Sequence, residues 1–170
     1  TASLNGEGSE LKAEVLEGEG TVKVELNKGS WTGDNKGKAE ATNGTWNGEN
    51  SGTVSLSEVT WMGYNTGVAN INGGAWSGNN FGDGVSLKDS TWTGYSNAEG
   101  LALALNNSTW NNTGSSKVQS VTANNGVVDM TNANNGDVTI GNYSGSMVVL
   151  YSHNITDDAT STMKGGKVVT

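Results

Sequence analysis

The stretch TWMGYNTG, residues 60–67, is one copy of a phrase that recurs along this chain. Its counterparts are WTGDNKG at 31–37, WNGENSG at 46–52 and WSGNNFG at 76–82, each with Gly two residues and Asn four residues after the Trp. The six tryptophans are Trp31, Trp46, Trp61, Trp76, Trp92 and Trp110, separated by 15, 15, 15, 16 and 18 residues. A nearly fixed period of this kind indicates a repeat protein.

Apolar residues with a period of two precede each tryptophan. Val54 and Leu56 share one face of an extended chain, and Val59 and Trp61 share a face after a short offset. The dense glycines oppose a helix, and a unit of about 15–18 residues is too short for a propeller blade or a helical repeat. We therefore predict an all-β solenoid with two short strands in each turn.

The repeated phrase assigns a role to each of its residues. Trp61 and the other tryptophans are predicted to stack inside, as the main stabilising column of a thin core. Gly63 is predicted to supply a positive φ at the end of the strand, and Asn65 to tolerate a left-handed conformation and bond its copy in the next turn. The alternative, a row of tryptophans that stacks on glycans, requires the rings to lie outside.

Composition and charge exclude several classes of function. The 170 residues suit one domain, and a formal net charge of −8 argues against nucleic acid or an anionic membrane surface as a partner. No cysteine is present, so neither disulfides nor thiol chemistry are expected. No apolar run reaches the length that a membrane-spanning helix needs, so we expect no membrane insertion by this segment.

A second pattern covers residues 101–170. It combines a period-two leucine pair before Trp110 with an Asn-Gly-x-Val-Asp segment and a later strand. The matching positions are Leu103, Leu105, Asn107, Thr109, Trp110, Ser115, Ser116, Val118, Asn125, Gly126, Val128, Asp129, Met130, Val138, Ile140, Tyr143, Ser144 and Gly145. In this order and spacing the segment resembles the C-terminal stem of pertactin-like autotransporter passengers, the type V secretion proteins of Gram-negative bacteria.

This resemblance implies a right-handed parallel β-helix, with repetitive turns over 1–100 and an autochaperone-like C-terminal stem over 101–170. It also implies export across the outer membrane to the cell surface, where the passenger has an adhesion or virulence function. The expected partners are the remainder of the same passenger, a downstream translocator β-barrel, and a host-cell protein or glycan; we expect a monomer. The predicted core comprises the six tryptophans together with Leu103, Leu105, Val128, Val138 and Ile140.

The sequence favours a protein that is not an enzyme, with no cofactor and no metal. Its single histidine, His153, lies near Asp157 and Asp158, but no nucleophile elbow accompanies them, and a carbohydrate-active enzyme is the weakest alternative. A stronger alternative is a β-helical adhesin or glycan-binding module whose contact surface is formed by the exposed ladders. Tyr64 and Tyr95, both three residues after a tryptophan, are the predicted surface contacts.

Overall fold

The computed structural model describes residues 2–5, 8–18, 20–131, 136–150, 152–155, 161–164 and 168–169. These residues form β-strands and turns without a helix, as the period-two pattern predicts. Among them, nothing forms a helix of the length and hydropathy that crossing a bilayer requires.

Seventeen strands follow one another in the described residues. They are β1 (Ala2–Asn5), β2 (Glu10–Lys12), β3 (Thr21–Glu25), β4 (Ser30–Thr32), β5 (Lys38–Asn47), β6 (Thr53–Met62), β7 (Val68–Asn72), β8 (Ala75–Ser77), β9 (Gly84–Lys88), β10 (Thr91–Gly94), β11 (Ala102–Asn106), β12 (Thr109–Asn112), β13 (Ser116–Asp129), β14 (Val138–Leu150), β15 (Ser152–Ile155), β16 (Ser161–Lys164) and β17 (Val168–Val169). All pair in parallel except β15 and β16, which form an antiparallel pair.

The first ladder of the sheet stacks β1, β3, β5, β6, β7, β9, β11, β13 and β14 in that order. Each residue lies opposite its counterpart one turn away, so that Val54 pairs with Ala69 and Leu56 with Ile71. About eight turns stack in this way. The chain is therefore a parallel β-solenoid, which confirms the fold predicted from the repeat.

The second ladder carries the tryptophans, one turn above another. Its strands pair Trp31 with Trp46, Trp46 with Trp61, and so on to Trp110. The same position continues beyond the six tryptophans, as Leu11 at the start and as Val128 and Val149 at the end. The sequence pattern missed Leu11 and Val149 because 20 residues separate Leu11 from Trp31 and 21 separate Val128 from Val149.

A third ladder consists of single parallel bridges. It joins Asn35, Asn50, Asn65, Asn80 and Ser96. The turns joined by these bridges therefore have three paired segments, one more than the two strands that the sequence predicts. The third was missed because a single bridged residue leaves no period-two pattern.

The bend between the first and second ladders is where the backbone adopts left-handed conformations. In seven turns, the residue three positions before the second-ladder position has a φ between 48° and 74°. These residues are Lys28, Asn43, Glu58, Gly73, Asp89, Asn107 and Asn125. The prediction that Asn65 and its counterparts tolerate such a φ is wrong, because none of them has a positive φ. A sharp corner needs the left-handed residue at the bend itself.

Interior side chains fill the space between the ladders. The structure places all eleven predicted core residues there, with no more than 2% of any of them exposed. The middle turns contribute small residues such as Ala39, Ala41 and Ala69 on the first ladder, opposite full-sized indoles on the second. Residue 100 falls inside this continuous stack, since β9 and β11 pair along their full lengths.

Candidate functional site

The six tryptophans form one continuous stack. Neighbouring ring centroids lie 4.6–4.8 Å apart and their planes differ by 4–10°. This spacing equals the separation of paired β-strands, so backbone pairing and ring stacking satisfy the same repeat distance. The rings are 0–1% exposed, so they cannot stack on a glycan at the surface.

Each indole N–H donates to the backbone one turn earlier. Trp61 Nε1 lies 2.9 Å from the carbonyl oxygen of Gly48, and Trp46 Nε1 lies 2.8 Å from that of Gly33. Trp76, Trp92 and Trp110 repeat the bond to Gly63, Gly78 and Gly94, while Trp31 bonds Ala13. The Trp-x-Gly phrase is thus a hydrogen-bonding unit between turns, which satisfies the polar atom of a buried indole.

The glycine of this phrase is required by close approach. A Cβ on Gly48 would overlap the carbonyl oxygen of Gly33 and lie 2.8 Å from Trp46 Nε1. Only Gly33 and Gly63 among the five have a positive φ, at 148° and 152°. The predicted conformational role is therefore wrong for Gly48, Gly78 and Gly94, and steric exclusion is the shared reason for glycine.

Replacing Gly48 tests this steric role. We expect Gly48→Ala to lower the free energy of unfolding by about 1–3 kcal/mol, because the added methyl group must displace a backbone carbonyl that accepts an indole N–H. Gly114→Ala is the matched control, since its Cβ would meet nothing nearer than Tyr95 at 3.6 Å. Equal urea midpoints for the two variants would contradict the close-approach explanation.

Buried asparagine side chains form a second internal stack, here called the asparagine ladder: Asn35, Asn50, Asn65 and Asn80. The amide nitrogen of each donates to the amide oxygen of the next at 2.8–2.9 Å. Each nitrogen also donates to the carbonyl oxygen two residues later in its own turn. The predicted amide ladder is confirmed, and its buried polar atoms are satisfied.

Serines extend the asparagine ladder toward the C-terminus. Asn80 donates to the Ser96 hydroxyl at 3.2 Å, and the Ser96 N–H donates to the Ser116 hydroxyl at 3.0 Å. Ser116 in turn donates to the Asn112 side chain at 2.7 Å. Within the described residues, no buried side-chain nitrogen or oxygen is left without a partner. This network is structural, because all its members lie inside.

Three aromatic side chains meet on the outer surface near the asparagine ladder. Phe81 lies between the predicted contacts Tyr64 and Tyr95, with ring centroids 5.8 and 6.2 Å away and edge-on geometry. Tyr64 is 47% exposed and Phe81 40%, whereas Tyr95 is half-buried. Sequence reasoning missed Phe81 because it stands five residues after its tryptophan rather than three.

The weakest alternative, a carbohydrate-active enzyme, is based on three residues near the C-terminus. Asp157, Asp158 and the side chain of His153 lie outside the described residues. Among the described side chains, no group of three or more His, Cys, Asp or Glu residues could hold a metal ion.

Comparison with protein-family models, with curated proteins and with solved structures gives no match to this chain. Its geometry defines the class, a parallel β-solenoid with a tryptophan stack and an asparagine ladder inside.

Proposed function

We propose that this chain is a non-enzymatic stem and autochaperone segment of a bacterial autotransporter passenger. In this proposal it lies at the cell surface after export across the outer membrane. It supports an adhesion or virulence function of the same passenger, and a translocator β-barrel follows it.

The observation that supports the stem role is the unbroken stack of six indoles. About eight turns at ~4.8 Å each make a rod roughly 38 Å long. Because the turns from Trp31 to Trp76 bond one another through the backbone, the indoles and the asparagine amides, bending the rod there would break several contacts at once. Such a rod can hold a functional surface at a fixed distance from its anchor.

The interior of the later turns supports the autochaperone role. The turn that contains Leu103, Leu105 and Trp110 has a large apolar side chain at each of these core positions, whereas the turn of Trp46 has Ala39 and Ala41 on the first ladder. Larger buried side chains remove more apolar surface from water and so stabilise an isolated group of turns more strongly. In a solenoid, turns then add to an existing edge, so the most stable group is the natural folding nucleus.

A matched pair of valines tests where folding begins. Val54 and Val121 occupy the same position in different turns and are 0% and 1% exposed. The kinetic φ-value is the change in the activation free energy of folding divided by the change in the free energy of unfolding. We expect Val121→Ala to slow refolding, with a kinetic φ-value of about 0.5–0.8, and Val54→Ala mainly to speed unfolding, with a kinetic φ-value of about 0–0.3. Stopped-flow refolding from urea measures both.

The reverse order of the two φ-values would overturn C-terminal nucleation. Export supplies a second readout in a complete passenger: deletion of residues 101–170 should abolish stable surface display. Display at the level of the undeleted passenger would contradict the autochaperone role.

A second candidate function is a β-helical adhesin or glycan-binding module. Outward-facing polar residues on the first ladder favour it, because they are regularly spaced and line a groove.

A further inference from the structure

A shallow groove follows the outer surface of the first ladder. It consists of three adjoining cavities of about 330, 320 and 330 Å³. The first two share Glu40 and Thr42, and the last two share Ser86 and Lys88. These shared walls join them into one outer groove, which crosses the strands from Lys23 in β3 to Asn124 in β13.

Small polar side chains line the central part of the outer groove. Ser55, Ser57, Asn70, Asn72 and Ser86 all point outward from consecutive turns. The amides of Asn70 and Asn72 are exposed and make no hydrogen bond to any described residue, unlike those of the asparagine ladder, which are all bonded. The groove therefore presents amide and hydroxyl groups that can donate to and accept from a ligand.

The charged side chains of the outer groove indicate which kind of ligand it can bind. Between Glu40 and Lys88 the groove is uncharged, and the charges at its Lys23 end are of both signs. A polyuronate, a sulfated glycan or a phosphate chain would need a cluster of positive side chains, which the lining of the groove lacks. Hydroxyls and amides suit a neutral ligand that is itself rich in hydroxyl groups.

The spacing of the turns along the outer groove indicates the shape of the ligand. Each turn places two outward residues along the groove, ~4.8 Å from those of the next turn, over a length of roughly 29 Å from β3 to β13, although their types differ from turn to turn. Within each strand the two outward residues lie ~6.7 Å apart, one on each side of the groove. A linear glycan with about one sugar ring per turn would place each ring between one pair of outward residues, and in the central turns these are the pairs Ser55/Ser57 and Asn70/Asn72.

We propose that the outer groove binds an extended, neutral, β-1,4-linked polysaccharide along the axis of the solenoid. The extended linkage keeps successive rings in line and near the spacing of the strands, whereas a helical glycan would leave the groove. Asn70 and Asn72 flank one ring and provide hydrogen bonds to its hydroxyl groups. This proposal rests on the second candidate function, the glycan-binding module, and names its ligand. It does not depend on the stem role or on the folding nucleus, since outward residues such as Asn70 and Asn72 point away from the core.

Binding of defined oligosaccharides to the intact chain tests the proposal. The probes are cellohexaose and β-1,4-mannohexaose, with hexagalacturonate as the charged comparison, each titrated by calorimetry. We expect at least one neutral hexamer to bind and hexagalacturonate not to bind. The double variant Asn70→Ala/Asn72→Ala should weaken the affinity at least tenfold.

Asn47→Ala is the matched control, because this half-buried outward residue lies on the second ladder and outside the groove. Its affinity should equal that of the unchanged chain. Ser57→Tyr, which narrows the groove without removing an amide, should also weaken binding. Equal melting curves for all variants show that the solenoid is intact.

Failure of both neutral hexamers to bind would overturn the proposal. Tighter binding of hexagalacturonate, or equal affinity in the double variant, would do the same. None of these outcomes bears on the refolding of the valine variants.

Discussion

Trp61→Ala is expected to lower the free energy of unfolding by about 3–5 kcal/mol. Trp61 is fully buried, and its ring centroid lies 4.8 Å from that of Trp46 and 4.7 Å from that of Trp76. Truncation removes both stacking contacts, opens a cavity between two turns and leaves the carbonyl oxygen of Gly48 without the indole N–H. In a solenoid each turn contacts only its neighbours, so this loss falls on both adjoining interfaces.

Urea denaturation followed by far-ultraviolet circular dichroism measures this effect. Met62→Ala is the control, because Met62 is the next residue of the same strand and is 52% exposed. Its change should stay within about 0.5 kcal/mol. A Trp61→Ala curve that superimposes on that of the unchanged chain would contradict the central role of the indole stack.

Asn65→Asp is expected to destabilise the chain by about 3–5 kcal/mol at pH 7, although it only replaces the side-chain NH2 group with an oxygen. The Asn65 amide nitrogen donates to Asn80 Oδ1 at 2.8 Å and to the Gly67 carbonyl at 3.1 Å. A carboxylate oxygen in its place would face two acceptors in a site that is fully buried. The other carboxylate oxygen would keep the hydrogen bonds from Asn50 Nδ2 and the Gly67 N–H, but these two neutral donors do not replace the hydration that the buried charge loses.

The pH dependence of this variant follows from the same contacts. Burial and the two facing acceptors raise the pKa of the introduced carboxyl in the folded chain above its unfolded value of about 3.9. The loss in free energy of unfolding is therefore smallest below that unfolded pKa, where the carboxyl is protonated in both the folded and the unfolded chain. The loss grows as the pH rises toward the folded pKa.

Denaturation at a series of pH values measures this trend. Asn47→Asp adds the same charge at a half-buried outward position without a side-chain hydrogen bond to a described residue, and its deficit should be small and nearly independent of pH. A deficit for Asn65→Asp that does not change between pH 4 and pH 7 would contradict a buried, unpaired carboxyl.

Much of the fold follows from residues close together in the sequence. The period of 15 residues and the alternation of Val54 and Leu56 predict stacked parallel turns, and the period-two relation of Val59 and Trp61 predicts an inward indole. Asn65 could be assigned to an amide ladder because identical residues in register place like groups one strand spacing apart. These inferences need only the repeat.

The reasons for the glycines could not be found in this way. Gly48 stands where a strand ends, so a positive φ was the natural expectation, yet its constraint comes from the carbonyl of Gly33 one turn below. The left-handed residues Asn43 and Glu58 share no side-chain type, which hides the bend from a sequence pattern. Both features depend on the distance between turns.

The surface residues of the candidate site were also only partly predictable from the sequence. Tyr64 was found by its position in the repeat, whereas Phe81, its partner at 5.8 Å, stands at a repeat position where the preceding turns have Lys36, Ser51 and Thr66. The outer groove is assembled from seven strands, and each contributes only two outward residues. A local stretch such as Ser55 to Ser57 does not reveal it.

The sequence by itself determined that the chain coils into the stacked turns of a β-solenoid, with Trp61 inside and Asn65 on a ladder. Periodicity is sufficient for this, because it fixes which residues share a face and a register. Only the tertiary structure decided that Trp61 bonds Gly48, and that the outward residues of the first ladder line a continuous groove. These contacts join residues 13 or more positions apart, and their geometry depends on the spacing and twist of the stacked turns.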